Sequence, residues 1–213
     1  MNNSKRTPAS VAAHVLSDLF SPMLVPAYGM IAALTLTPMN LLPTSPKVWA
    51  CAGVFFITAV IPILFILTLI RLGKVSDTAI TDKNERTLPF VVTILCYVGA
   101  AFYVRYLRAP FWIVNFFTGA ALVSAFSLLI NHWWKISAHA GALGGLAGIF
   151  FWMVQHSLIV YAPLFWLCAV IMVLGLVGWA RLYLEKHTVL QVLGGAVLGF
   201  ITEVTILDII SSF

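Results

Sequence analysis

Apolar residues run in long blocks along this chain, and polar residues gather in short stretches between them. A helix that crosses a bilayer takes about 20 mostly apolar residues. Blocks of that size predict spans near 18–37, 48–71, 89–106, 111–131, 139–160, 163–181 and 188–210. The fold class is therefore all-α, a polytopic transmembrane helical bundle of six or seven spans. The first block is the weakest, because Pro22 and Pro26 predict a kinked or re-entrant segment. Pro89 and Pro163 suit helix starts, where a missing N–H costs nothing. Residues 1–17 form a polar N-terminal segment, and 18–213 read as one transmembrane domain. The first block lacks a small-x-small cleavage pattern and reads as a retained helix.

Composition agrees with this pattern. Of 213 residues, 62% are hydrophobic and only 9% charged, whereas soluble domains carry about 25% charged residues. The net charge of +5 sits in short loops between apolar runs. That placement points to headgroups and phosphate rather than nucleic acid. Cys51, Cys96 and Cys168 lie within apolar runs and share no ligand spacing, so they read as small buried residues.

The polar loops differ in character. Those after spans one, three and five are plain. Those after spans two, four and six are rich: 71–88, 132–138 and 182–187. Seven spans put the three rich loops and the N-terminus on one side. Nine Lys and Arg residues fall there and three on the other. The positive-inside rule assigns the rich side to the cytoplasm, with a bacterial inner membrane as the expected setting.

Three constellations on the rich side carry candidate chemistry. The first runs Asp82-Lys83-Asn84-Glu85-Arg86-Thr87-Leu88-Pro89. Lys83 and Arg86 can face an anion, since the planar fork of arginine matches phosphate oxygens. The second is Lys135-Ile136-Ser137-Ala138-His139, where a helix begins. Ser137 can cap that helix, whose free N–H groups favour phosphate. His139 can exchange a proton near neutral pH. Gly141, Gly144, Gly145 and Gly148 follow, as small faces for close helix packing. The third holds Arg181 and His187, with Gln191 four residues beyond the histidine. The Gln191 amide oxygen can accept the imidazole N–H. Glu203 and Asp208 lie deeper in the last span and should face protein or water.

The second and third constellations resemble the type 2 phosphatidic acid phosphatase family, with its signatures Lys-x6-Arg-Pro, Pro-Ser-Gly-His and Ser-Arg-x5-His-x3-Asp. Ser137-Ala138-His139 is similar to the second signature. Arg181, His187 and Gln191 keep the spacing of the third, and Arg86-Thr87-Leu88-Pro89 is a loose form of the first. The likeness covers about residues 83–199. It implies His187 as nucleophile, His139 as general acid, and Lys83, Arg86, Lys135, Ser137 and Arg181 around the phosphoryl oxygens. It also implies a membrane lipid phosphate or diphosphate as substrate, no metal and no cofactor. The chain departs from the pattern in four places. Gln191 stands for the aspartate, Ala138 for the glycine and Ala79 for the first lysine, and two spans separate the first and second motifs. Glu185 or Glu85 are possible substitutes for the missing carboxylate.

Two other readings compete. A non-catalytic lipid-phosphate binder or transporter that kept the pocket is favoured by Gln191. A prenyl-type transferase is suggested by the aspartates at Asp77 and Asp82, but such enzymes need paired aspartate motifs with magnesium, and no second cluster exists.

Overall fold

The computed structural model describes residues 7–76 and 83–211, with the side chains of Lys83, Asn84, Ile210 and Ser211 outside that description. Among the described residues the chain is helical and contains no strand. Six helices are long and apolar enough to cross a membrane. They are α3 (Thr44–Arg71), α4 (Thr87–Tyr106), α5 (Phe111–Asn131), α6 (Ala138–Gln155), α7 (Pro163–Tyr183) and α8 (Val189–Ser211). Two shorter helices precede them, α1 (Pro8–Leu19) and α2 (Val25–Leu36). The chain is an integral membrane protein. Large apolar side chains such as Phe102, Phe165, Leu190 and Leu193 point outward, where bilayer hydrocarbon receives them. Exposed Trp49, Tyr106 and Tyr161 belt one end, and Trp133 and Tyr183 the other.

The first predicted span is corrected. The chain turns between Phe20 and Leu24, and α2 has 12 residues. At 1.5 Å per residue that is about 18 Å, short of a bilayer core of about 30 Å. The segment nevertheless runs the length of the bundle. The Ser17 carbonyl meets His139 at one end, and the Leu36 carbonyl accepts from Val160 N–H at the other. The N-terminal segment also differs from expectation. Thr7 caps α1 by accepting from Ser10 N–H, so residues 8–17 are helical. Ala13 and Ser17 face inward, while Val11, Val15 and Leu19 stay exposed. The α1 helix lies against α7, with Thr7 Oγ1 and the Tyr183 hydroxyl 3.1 Å apart.

Prolines shape the remaining elements. Pro62 lacks an N–H, and a widened turn over Phe56–Val60 just before it absorbs the mismatch inside α3. Pro89 lies in the first turn of α4, and Pro163 opens α7 after Ala162, which takes a left-handed φ of 49°. The fifth predicted span is shorter than expected: α6 stops at Gln155, and His156 stacks on Trp152 at 4.0 Å.

The most extensive contact in the bundle joins α6 and α8, and the glycines are the reason. A Cβ on Gly144 would collide with the Ala196 carbonyl, and one on Gly199 with the Gly141 carbonyl. Gly148 meets Phe200 and Glu203 farther along. The register advances in the same direction on both helices, so they run parallel and begin at the same end. Small residues let two backbones touch, and in lipid that packing drives association. Phe117, Ile113, Leu143, Ile149, Met153 and Leu207 fill the core around this pair. Of the three cysteines, only Cys96 is buried. Cys168 is exposed on α7, a correction to its reading as an interior residue.

Candidate phosphate site

Parallel α6 and α8 bring two loops together. The loop before α6 carries Lys135 and Ser137, and the turn before α8 carries His187. One backbone bond ties them: Ser137 N–H donates to the Gln191 carbonyl at 3.2 Å. Ser137 is wholly buried and caps α6, its hydroxyl accepting from Ala140 N–H at 3.4 Å. The turn before α8 folds back on α7, with Lys186 N–H and His187 N–H both donating to the Arg181 carbonyl. That fold sets Arg181 and His187 side by side.

The orientation of His187 follows from hydrogen-bond polarity. Thr188 N–H donates to Gln191 Oε1 at 3.1 Å, so that atom is an acceptor. The same oxygen lies 3.1 Å from His187 Nδ1. An amide oxygen only accepts, so Nδ1 carries the hydrogen and Nε2 holds the free lone pair. The neutral Gln191 therefore selects the tautomer without a carboxylate. Burial pushes the His187 pKa down from 6.5 to about 4, and Arg86 and Arg181 add to the effect. The Gln191 bond opposes this shift, and Lys135 contributes to it. At neutral pH His187 is an uncharged base.

Arg86 enters from the start of α4. It is buried, and its Nη1 donates to the Ile136 carbonyl at 3.3 Å, which brings the first constellation to the second. Arg181 is buried too, and its Nε has no hydrogen-bond partner among the described residues. His139 Nε2 lies 3.2 Å from the Ser17 carbonyl; since a carbonyl only accepts, Nε2 donates. Arg86, His139, Arg181 and His187 all line one cavity of about 350 Å³. Beside these basic groups much of its lining is apolar, with Ile63, Ile66, Leu67, Phe90 and Phe116.

The structure thus unites Arg86, Ser137, His139, Arg181, His187 and Gln191. Lys135 lies close enough to act on His187 but does not line the cavity. The Lys83 side chain, Ala79, Asp77 and Asp82 fall outside the described residues. Glu85 Oε2 accepts from both the amide and the hydroxyl of Ser76 at 2.8 Å, and the partner of His187 Nδ1 is Gln191. Glu185 is exposed at a positive φ of 52°. Among the described residues no group of His, Cys, Asp and Glu forms a metal cluster.

Two contributors escaped the sequence reading. Ser17 and Asp18, at the end of α1, line the cavity, and Asp18 acts on Arg181 by charge. They lie far along the chain from the other site residues, the nearest being Arg86, at no motif spacing. The only available signal was a lone acid just before an apolar run.

No family model, curated protein or solved structure matches this chain.

Proposed function

We propose that the chain is a phosphatase acting on a lipid phosphate or diphosphate, through a phosphohistidine on His187. The observation that carries this reading is the single cavity lined by Arg86, His139, Arg181 and His187, with the His187 lone pair left free by the Gln191 bond. The resemblance to the type 2 phosphatidic acid phosphatase motifs, drawn from the same residues, supports it.

Two guanidinium groups and the opening turn of α6 supply donors for an anion. As general acid, His139 gives a proton from Nδ1, because its Nε2 is committed to the Ser17 carbonyl. His187 Nε2 attacks phosphorus as the bond from phosphorus to the lipid oxygen breaks. His139 gives its proton to that oxygen, and the lipid leaves as an alcohol, or as a monophosphate when the substrate is a diphosphate. Water then cleaves the nitrogen–phosphorus bond, and His139 recovers a proton from it. Catalysis of this kind rests on positioning and on neutralising the spread charge of the oxygens. The apolar part of the lining accommodates hydrocarbon, and the lipid enters from the bilayer. The excess of Lys and Arg at this end favours the cytoplasmic face of a bacterial inner membrane.

The test is phosphate release in detergent from a panel of lipid phosphates and diphosphates, with a chelator present. Release by the wild type that is abolished in His187→Ala is the expected result. Unchanged release in His187→Ala refutes the assignment. A second reading, a lipid-phosphate binder without turnover, is favoured by the neutral partner of His187. Phosphate or vanadate binding with no release across the panel would establish it instead. A prenyl-type transferase would show strict magnesium dependence.

A further inference from the structure

Glu203 is the one acidic residue wholly buried in the described bundle. Both its carboxyl oxygens lack a hydrogen-bond partner among the described residues. It sits in a niche made by glycines of two helices. A Cβ on Gly119 of α5 would collide with its carboxyl, and one on Gly148 of α6 would lie 2.9 Å from its Cβ. A third glycine, Gly145, gives the height: a Cβ there would stand 3.7 Å from Glu203 Oε2. Glu203 and Gly145 both belong to the wall of the cavity that holds His139 and His187.

A carboxyl in such surroundings is costly unless something answers it. Bundle packing alone would be served better by an apolar side chain. The position is also informative. Gly145 lies six residues beyond His139 on α6, so the carboxyl is about 9 Å along the axis below His139. Between the two levels, Ser127 and Ser124 of α5 line the same wall, with Ser127 Oγ near the height of Gly141. One wall of the cavity is thus a descending polar track that ends at Glu203. The facing wall, from α3 and α4, is mostly hydrocarbon.

We propose that Glu203 is a specificity-determining residue that, as the carboxylic acid, donates its O–H to an oxygen of the lipid backbone, ester or hydroxyl, beneath the phosphate. A glycerolipid carries its ester oxygens a few bonds below the phosphate, facing this track. A prenyl phosphate presents only hydrocarbon there and leaves the carboxyl unanswered. The inference rests on the phosphate site described above, and it names the lipid class that site accepts.

Binding separates this inference from the phosphatase reading. The full chain in detergent is titrated with two non-hydrolysable probes, a diacylglycerol phosphonate and a farnesyl phosphonate. The wild type is expected to bind the diacyl probe more tightly, by about five- to tenfold for one good hydrogen bond. Glu203→Met should lose that margin through weaker diacyl binding alone, and Glu203→Gln, which still donates and accepts, should keep most of it. Equal or tighter farnesyl binding by the wild type overturns the proposal. So does an unchanged ratio in a folded Glu203→Met. If Glu203→Met fails to fold, the wild-type ratio with Glu203→Gln decides. Phosphate release is measured on the same samples with hydrolysable lipids. A diacyl preference without release keeps Glu203 in this role and removes the phosphatase assignment.

Discussion

Replacing Gln191 with glutamate isolates what a carboxylate would do beside His187. Glutamate has the same length, so its Oε1 can keep the 3.1 Å contact to Nδ1 and the bond from Thr188 N–H. The change adds one negative charge about 4 Å from the imidazolium centre, worth about 4 kcal/mol at an effective dielectric of 20. One pKa unit corresponds to about 1.4 kcal/mol. Titration of His187 should therefore rise from about 4 to ~7, close to neutrality. Nitrogen-15 NMR of histidine-labelled protein in detergent reads this directly. His187→Asn identifies the signal among the five histidines. The wild type should also display the Nδ1–H tautomer. If phosphate is released, the acidic limb of its pH profile moves upward by the same amount, because protonated His187 cannot attack. A midpoint that stays near 4 in Gln191→Glu would show that the amide and imidazole do not face each other, and the orientation argument would fall.

Two further outcomes follow from packing and charge. His187 is protonated more readily in the unfolded chain than in the folded one, since its pKa falls from 6.5 to about 4 on folding. Its contribution is intact above 6.5 and lost as the pH drops toward 4, a swing of about 3 kcal/mol; thermal midpoints at pH 7 and 4.5 should differ less in His187→Asn than in the wild type. Gly199→Val would drive a side chain into the Gly141 carbonyl. Overpacking of this kind costs about 1–3 kcal/mol, so the detergent melting temperature should drop, whereas Gly175→Ala, a helix-interior position with nothing within 4 Å, should not lower it.

The long helices were legible because lipid demands them. Residues 111–131 emerge with the predicted bounds, since Pro110 and the polar Asn131-His132 pair close an uninterrupted apolar run. The glycines of 141–148 and 195–199 were readable as packing faces, because little else explains four small residues at helical spacing. What sequence could not supply was the fate of the first block. Whether Pro22 and Pro26 bend a helix or end it depends on what receives the freed groups. Here the Pro22 carbonyl accepts from the Tyr97 hydroxyl at 2.7 Å, a contact across 75 positions. The site was legible where residues shared a local spacing, as with His187 and Gln191. It was not legible where three-dimensional folding alone brought a partner, as with Ser17 against His139. Glu203 was recognisable as an acid needing a reason, but its glycine niche spans two helices and has no local signature.

The glycine seam between α6 and α8 has a consequence for how the protein meets different bilayers. Thinner or thicker membranes are accommodated by helices that tilt, and α7, which presents most of its surface outward, has the freedom to do so. The two helices behind His139 and His187 do not share that freedom. Their backbones touch at Gly144 and Gly199, and their opening turns are pinned by Ser137 and Gln191. The pair acts as a fixed caliper: strain from the surrounding lipid is taken up at the periphery, and the gap between the two imidazoles keeps its width.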